Sequence, residues 1–71
     1  MLNHTTLGGR LRRLRLDRGM SQVQLGKAAG IDNSTVSLIE AGERQGHPAT
    51  IKALADALDC TVADLITEEA P

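Results

Sequence analysis

Aromatic side chains are missing altogether: the 71 residues contain no Phe, Tyr or Trp. Any core must come from aliphatic side chains, leucine foremost, with Ile, Val, Ala and Met in support, and that favours short helices packed on one another. The lone cysteine, Cys60, cannot close an internal disulfide, and His4 and His47 have no cysteine or second histidine at metal-ligand spacing. Neither a metal nor a cofactor is expected. No apolar run approaches the roughly 18 residues that cross a bilayer, and no charged leader followed by an apolar stretch opens the chain. The expectation is a soluble, cytoplasmic protein. A chain this short holds one small domain spanning 1–71, with a folded core over 7–66 and flexible ends at 1–5 and 67–71.

Charge of one sign is also scarce in the sum, which is −1, but not in its distribution. Residues 1–30 carry six basic residues (Arg10, Arg12, Arg13, Arg15, Arg18, Lys27) and one acid, whereas 31–71 carry two basic residues and eight acids. One end can meet phosphates while the other faces away.

What the chain has in abundance is helix punctuation. Leu7, Leu11 and Leu14 recur at helical spacing behind Thr6 and ahead of Gly19, predicting a helix over 7–18. Ser21 and Gln24 form a capping box with Met20 and Leu25 as its staple, predicting 22–29, closed by Gly30. Asp32 is the expected cap of 33–41, stapled by Ile31 and Val36. Pro48 suits the first position of 48–58, whose stripe is Ile51, Leu54, Ala55 and Leu58. Thr61 and Asp64, with Cys60 and Leu65, open a last helix over 62–66. Three staple-and-cap units in succession make the all-α assignment firm. The core is expected from Leu11, Leu14, Leu25, Val36, Ile39, Ile51, Leu54, Leu58 and Leu65.

The short link after Gly30 suits a sharp helix-turn-helix crossing. Here the ordered set Leu7-Gly8, Leu14-Arg15, Arg18-Gly19, Ser21-Gln22, Leu25, Gly30, Ser37, Ile39-Glu40 and Gly42 resembles the Cro/C1-type (XRE) helix-turn-helix family of phage repressors and bacterial regulators. The resemblance covers about residues 7–66 and implies a compact five-helix bundle of the lambda-repressor-like DNA-binding type, whose third helix enters the major groove. It further implies a phosphate contact at the start of helix 2, where Ser21 and Gln22 stand, and an ion pair between Arg15 and Glu40. Gly26 departs from the usual alanine, which is expected to weaken helix 2 by about 1 kcal/mol. Ala41 and Glu43 stand where basic residues are frequent, and Asp59 replaces a common glycine.

On a helical wheel, Val36 and Ile39 point one way with Thr35 beside them, while Asn33, Ser34, Ser37, Leu38 and Ala41 share the opposite arc. Those short groups suit base edges: Asn33 can pair with adenine, Ser34 and Ser37 can donate or accept, and Leu38 can press on a thymine methyl. Affinity is expected from flanking phosphate contacts at Ser21, Gln22, Arg44 and Arg10, with Arg12 and Arg13 as further candidates. The leading expectation is a sequence-specific double-stranded DNA-binding regulator, a repressor acting as a homodimer, with Val62, Leu65 and Ile66 as dimer candidates. The rival is a protein-interaction module or an antitoxin using the same fold. An enzyme is disfavoured, since no nucleophile has an oriented base and no glycine loop cradles a phosphate.

Overall fold

Each helix begins where a short polar side chain or a proline interrupts the apolar pattern. In the computed structural model, which describes residues 6–66, the elements are α1 (Leu7–Asp17), α2 (Gln22–Ala29), α3 (Asn33–Glu40), α4 (Pro48–Ala57) and α5 (Val62–Ile66), with no strand among the described residues. The ends expected to be flexible, 1–5 and 67–71, lie outside the described residues, as does His4. α1, α3 and α4 each stop one residue earlier than the sequence pattern suggests. Their last turns tighten into the closing bonds described below.

The N-terminal caps mostly follow side-chain chemistry. Thr6 accepts from the Gly9 amide at 3.0 Å. Ser21 and Gln24 exchange bonds of 3.0 and 2.7 Å, and Thr61 and Asp64 exchange bonds of 3.1 and 3.0 Å. The bonds from Thr61 hold the Asp64 carboxyl below its ordinary pKa of 3.8. Asp32 corrects the sequence reading: it occupies the cap of α3 with extended backbone, yet its side chain makes no cap bond. Its carbonyl accepts from Thr35 and Val36 at 3.0 and 3.2 Å, and the side chain is exposed.

At their C-terminal ends, α1 to α4 close alike. The amides of Met20, Ile31, Glu43 and Cys60 reach back five residues to the carbonyls of Arg15, Gly26, Leu38 and Ala55, at 3.1, 2.9, 2.9 and 2.9 Å. This closure needs a left-handed residue just before the donor. Gly19, Gly30 and Gly42 supply it at φ 67°, 74° and 81°, but after α4 it falls to Asp59 at φ 57°. A side chain there crowds the following carbonyl, at a cost of up to about 1–2 kcal/mol. Asp59→Gly is therefore expected to stabilise the fold by about 0.5–1 kcal/mol, read as a higher urea midpoint with an unchanged slope.

Leu11, Leu25, Val36, Ile39, Ile51, Leu54, Ala55, Leu58 and Leu65 form one buried cluster, with Leu7, Leu14, Met20, Ile31, Cys60 and Val62 packed around it. Leu14 is thus peripheral to the core, and Ala55 is part of it. Burial pushes the Cys60 thiol above its ordinary 9.0, helped by the negative charge of Asp64, which leaves it protonated and unreactive near neutral pH.

Two glycines set where α3 sits. A Cβ on Gly8 would lie 2.5 Å from the carbonyl oxygens of both Ile39 and Glu40, so α1 rests directly on the C-terminal turn of α3. A Cβ on Gly26 would lie 2.7 Å from the Ile31 oxygen and 3.2 Å from the Asn33 nitrogen. Beside the propensity cost expected of Gly26, the same residue lets α2 approach the entry of α3 more closely than alanine allows.

Candidate nucleic-acid interface

Held between those two glycines, α3 buries Val36, Ile39 and Glu40. Asn33, Ser34, Ser37 and Ala41 are exposed, and Thr35 and Leu38 are half-buried. The four residues expected to meet bases therefore share the outward side of one helix, with Leu38 lower on its flank. Their short side chains let the helix axis come near whatever surface it meets, and they offer amide and hydroxyl groups that both donate and accept, with one apolar contact.

Beside this face, the start of α2 presents donors. The capping box occupies the Ser21 and Gln24 amides, which leaves the amides of Gln22 and Val23 without acceptors inside the helix. Ser21 accepts with its oxygen, so its hydroxyl proton stays available. Gln22 is not loose: its side-chain nitrogen donates to Glu40 Oε1 at 3.1 Å.

That bond leads into a buried ion pair, the most buried charged side chains among the described residues. Arg15 and Glu40 are 6% and 3% exposed and form a bidentate pair, Nε to Oε2 at 2.6 Å and Nη2 to Oε1 at 3.0 Å. Arg15 Nη1 also donates to the Met20 carbonyl at 2.8 Å. One guanidinium thereby fastens α1 to the end of α3 and to the entry of α2. Such a pair is sustained in a dry setting only because its hydrogen bonds are nearly all satisfied.

On the other flank, Arg44 is exposed and has no ion-pair partner among the described residues. It lines an open cleft of about 480 Å³ together with Thr35, Gly46, His47 and Thr50. His47 caps α4 by position, with no side-chain bond to the helix amides. Sequence reasoning missed this second wall; its one signal was Pro48, which fixes where α4 begins.

Two further arginines of the basic half bond to the ends of other helices. Arg10 points toward α5, where Nη1 donates to the Leu65 carbonyl at 3.3 Å and Nη2 is buried with no partner among the described residues. This bond joins α1 to the C-terminal turn of α5, where a cation is favourably placed. Arg18 does the same at the end of α4, donating to Leu58 at 3.0 Å. Arg13 lies 4.0 Å from Asp17 at the surface, where such a pair is worth little, and Arg12 is exposed. Among the dimer candidates Leu65 is fully buried and Val62 packs on the core, while Ile66 is 56% exposed.

Among the described residues no group of His, Cys, Asp or Glu is arranged to hold a metal ion, and no helix is long and apolar enough to cross a membrane.

A family model described as a helix-turn-helix domain matches residues 6–66. No curated protein matches significantly. Among solved structures, the restriction-modification controller protein C.AhdI from Aeromonas hydrophila is 39% identical with a TM-score of 0.83, over 86% of this chain and 92% of that one. The P22 c2 repressor, solved in complex with the synthetic operator 9T, is 30% identical with a TM-score of 0.85, over 90% and 97%. SinR, the master regulator for biofilm formation, solved in complex with DNA, is 26% identical with a TM-score of 0.82, over 86% and 98%.

Proposed function

Because the chain belongs to the helix-turn-helix domain family, we propose that it is a sequence-specific double-stranded DNA-binding transcriptional regulator, a cytoplasmic repressor that occupies a pseudo-palindromic operator as a homodimer. The observation that carries this reading is the division of α3. Its inward side is locked by Val36, Ile39 and Glu40, and its outward side offers Asn33, Ser34, Ser37 and Leu38 on a short-chained surface.

In this reading those four residues meet base edges in the major groove, and direct readout of that kind needs no positive charge. Ser21 and Gln22 on one flank and Arg44 on the other meet the phosphates. Arg10, bonded to α5, leaves the phosphate set. With few free cations at the surface, affinity depends on two copies acting together, and Ile66 on α5 offers exposed apolar area for their contact. The relatives solved with DNA, the P22 c2 repressor and SinR, support the same assignment.

Selection of duplexes from a random pool at a fixed salt concentration tests it. The expected product is an inverted repeat whose half-sites lie about 34 Å, one helical turn, apart. A pool that stays unenriched would count against DNA reading, and enrichment of a single asymmetric site would count against the dimer.

A further inference from the structure

We infer that Arg15 and Glu40 are positioning residues for the DNA contact at Gln22, not only a brace within the fold. The inference rests on the DNA-binding reading and adds to it what sets the geometry of that contact. Gln22 is the first residue of α2, and an unrestrained glutamine there would sample many rotamers in water. Here its Nε2 is 3.1 Å from Glu40 Oε1, an oxygen that also accepts from Arg15 Nη2 at 3.0 Å. A carboxylate only accepts, so the bond dictates which end of the amide turns inward. The second N–H of Gln22 and its carbonyl oxygen are left for an outside partner.

Arg15 completes the arrangement from two directions. It fixes Glu40 through both carboxylate oxygens and fixes the Met20 carbonyl, two residues ahead of Gln22, at 2.8 Å. Side chain and backbone at the start of α2 are thus referred to one buried guanidinium, 6% exposed. The charge of Glu40 is neutralised by Arg15, so it can hold Gln22 without setting a free negative charge against an approaching phosphate. The donor arrives already oriented, and less side-chain freedom is lost on binding.

The test is a double-mutant cycle in the full chain, read as affinity for the duplex selected above and for an unrelated duplex. Replacing the pair together, Arg15→Met with Glu40→Leu, removes the tether without leaving a buried charge unpaired. The expected result is a three- to tenfold loss of affinity on both duplexes, about the value of immobilising one flexible side chain. In a Gln22→Ala background the same pair replacement is expected to cost nothing further. Equal losses in both backgrounds, or no loss in either, overturn the inference while leaving the DNA-binding reading intact. A chain that binds neither duplex overturns both.

A second measurement stands apart from any effect of the pair replacement on folding. By NMR relaxation of the unsubstituted protein, the Gln22 side-chain amide is expected to be nearly as ordered as rigid backbone, with an order parameter approaching about 0.85. The exposed Gln45 serves as the mobile reference. A Gln22 amide as mobile as that of Gln45 contradicts the tether.

Discussion

Gly8→Ala is expected to destabilise the protein by about 2–4 kcal/mol, although alanine is the better helix former by about 0.5–1 kcal/mol. The added methyl would stand 2.5 Å from two backbone oxygens, those of Ile39 and Glu40, and 2.9 Å from the Glu40 carbonyl carbon. None of these is the end of a flexible side chain. α1 must therefore lift from α3, loosening Leu11 from the core and stretching the Arg15–Glu40 pair. A domain of 71 residues has roughly 4–11 kcal/mol of stability in total, so the loss is a large share of it. Thermal unfolding followed by circular dichroism should show a midpoint lower by about 10–25 °C. A midpoint within a few degrees of the parent would mean that the two helices separate without cost and that the close approach is incidental.

Glu40→Ala should be comparably severe, through electrostatics instead of sterics. It strips a guanidinium that is 6% exposed of both its carboxylate bonds. The Met20 carbonyl remains as a neutral acceptor. Leaving one partner of a buried pair uncompensated costs about 3–5 kcal/mol. The combined replacement Arg15→Met and Glu40→Leu should fold with stability close to the parent's, because it removes the desolvation penalty together with the attraction. Urea denaturation of the two variants separates the possibilities. If the single and double variants were equally unstable, packing at these positions and not charge pairing would be the source of the loss.

The helices were legible in the sequence because their boundaries are written in local chemistry. Ser21 with Gln24 and Thr61 with Asp64 are reciprocal bonds three residues apart, and the spacing alone exposes them. Gly19, Gly30 and Gly42 are likewise readable, since left-handed backbone favours glycine. Asp32 was legible as a position but not as a bond, because an exposed carboxylate finds water as good a partner as the helix amides.

Less of the interface could be read, since it depends on distant partners. The division of charge along the chain made the first helix look like a phosphate-binding surface. Arg15 pairs with Glu40 as the family resemblance implied, but Arg10 and Arg18 reach the carbonyls of Leu65 and Leu58, at sequence separations of 55 and 40 residues. Composition cannot distinguish an arginine that faces solvent from one that closes another helix. The bond from Gln22 to Glu40 spans 18 residues and depends on the crossing of α2 and α3, which in turn depends on the absence of a side chain at Gly26.

In the proposed function, the outward side of α3 reads bases while its flank grips the backbone. The most direct measurement compares affinity for the selected duplex and its single-base variants across three proteins: the parent, Asn33→Ala or Ser34→Ala, and Gln22→Ala. The α3 substitutions should lose about 1–3 kcal/mol at one operator position with folding intact, and Gln22→Ala should weaken binding to every duplex by a similar factor. If the α3 substitutions leave discrimination between bases unchanged while the protein still binds, sequence is read elsewhere, and α3 is not the reading helix.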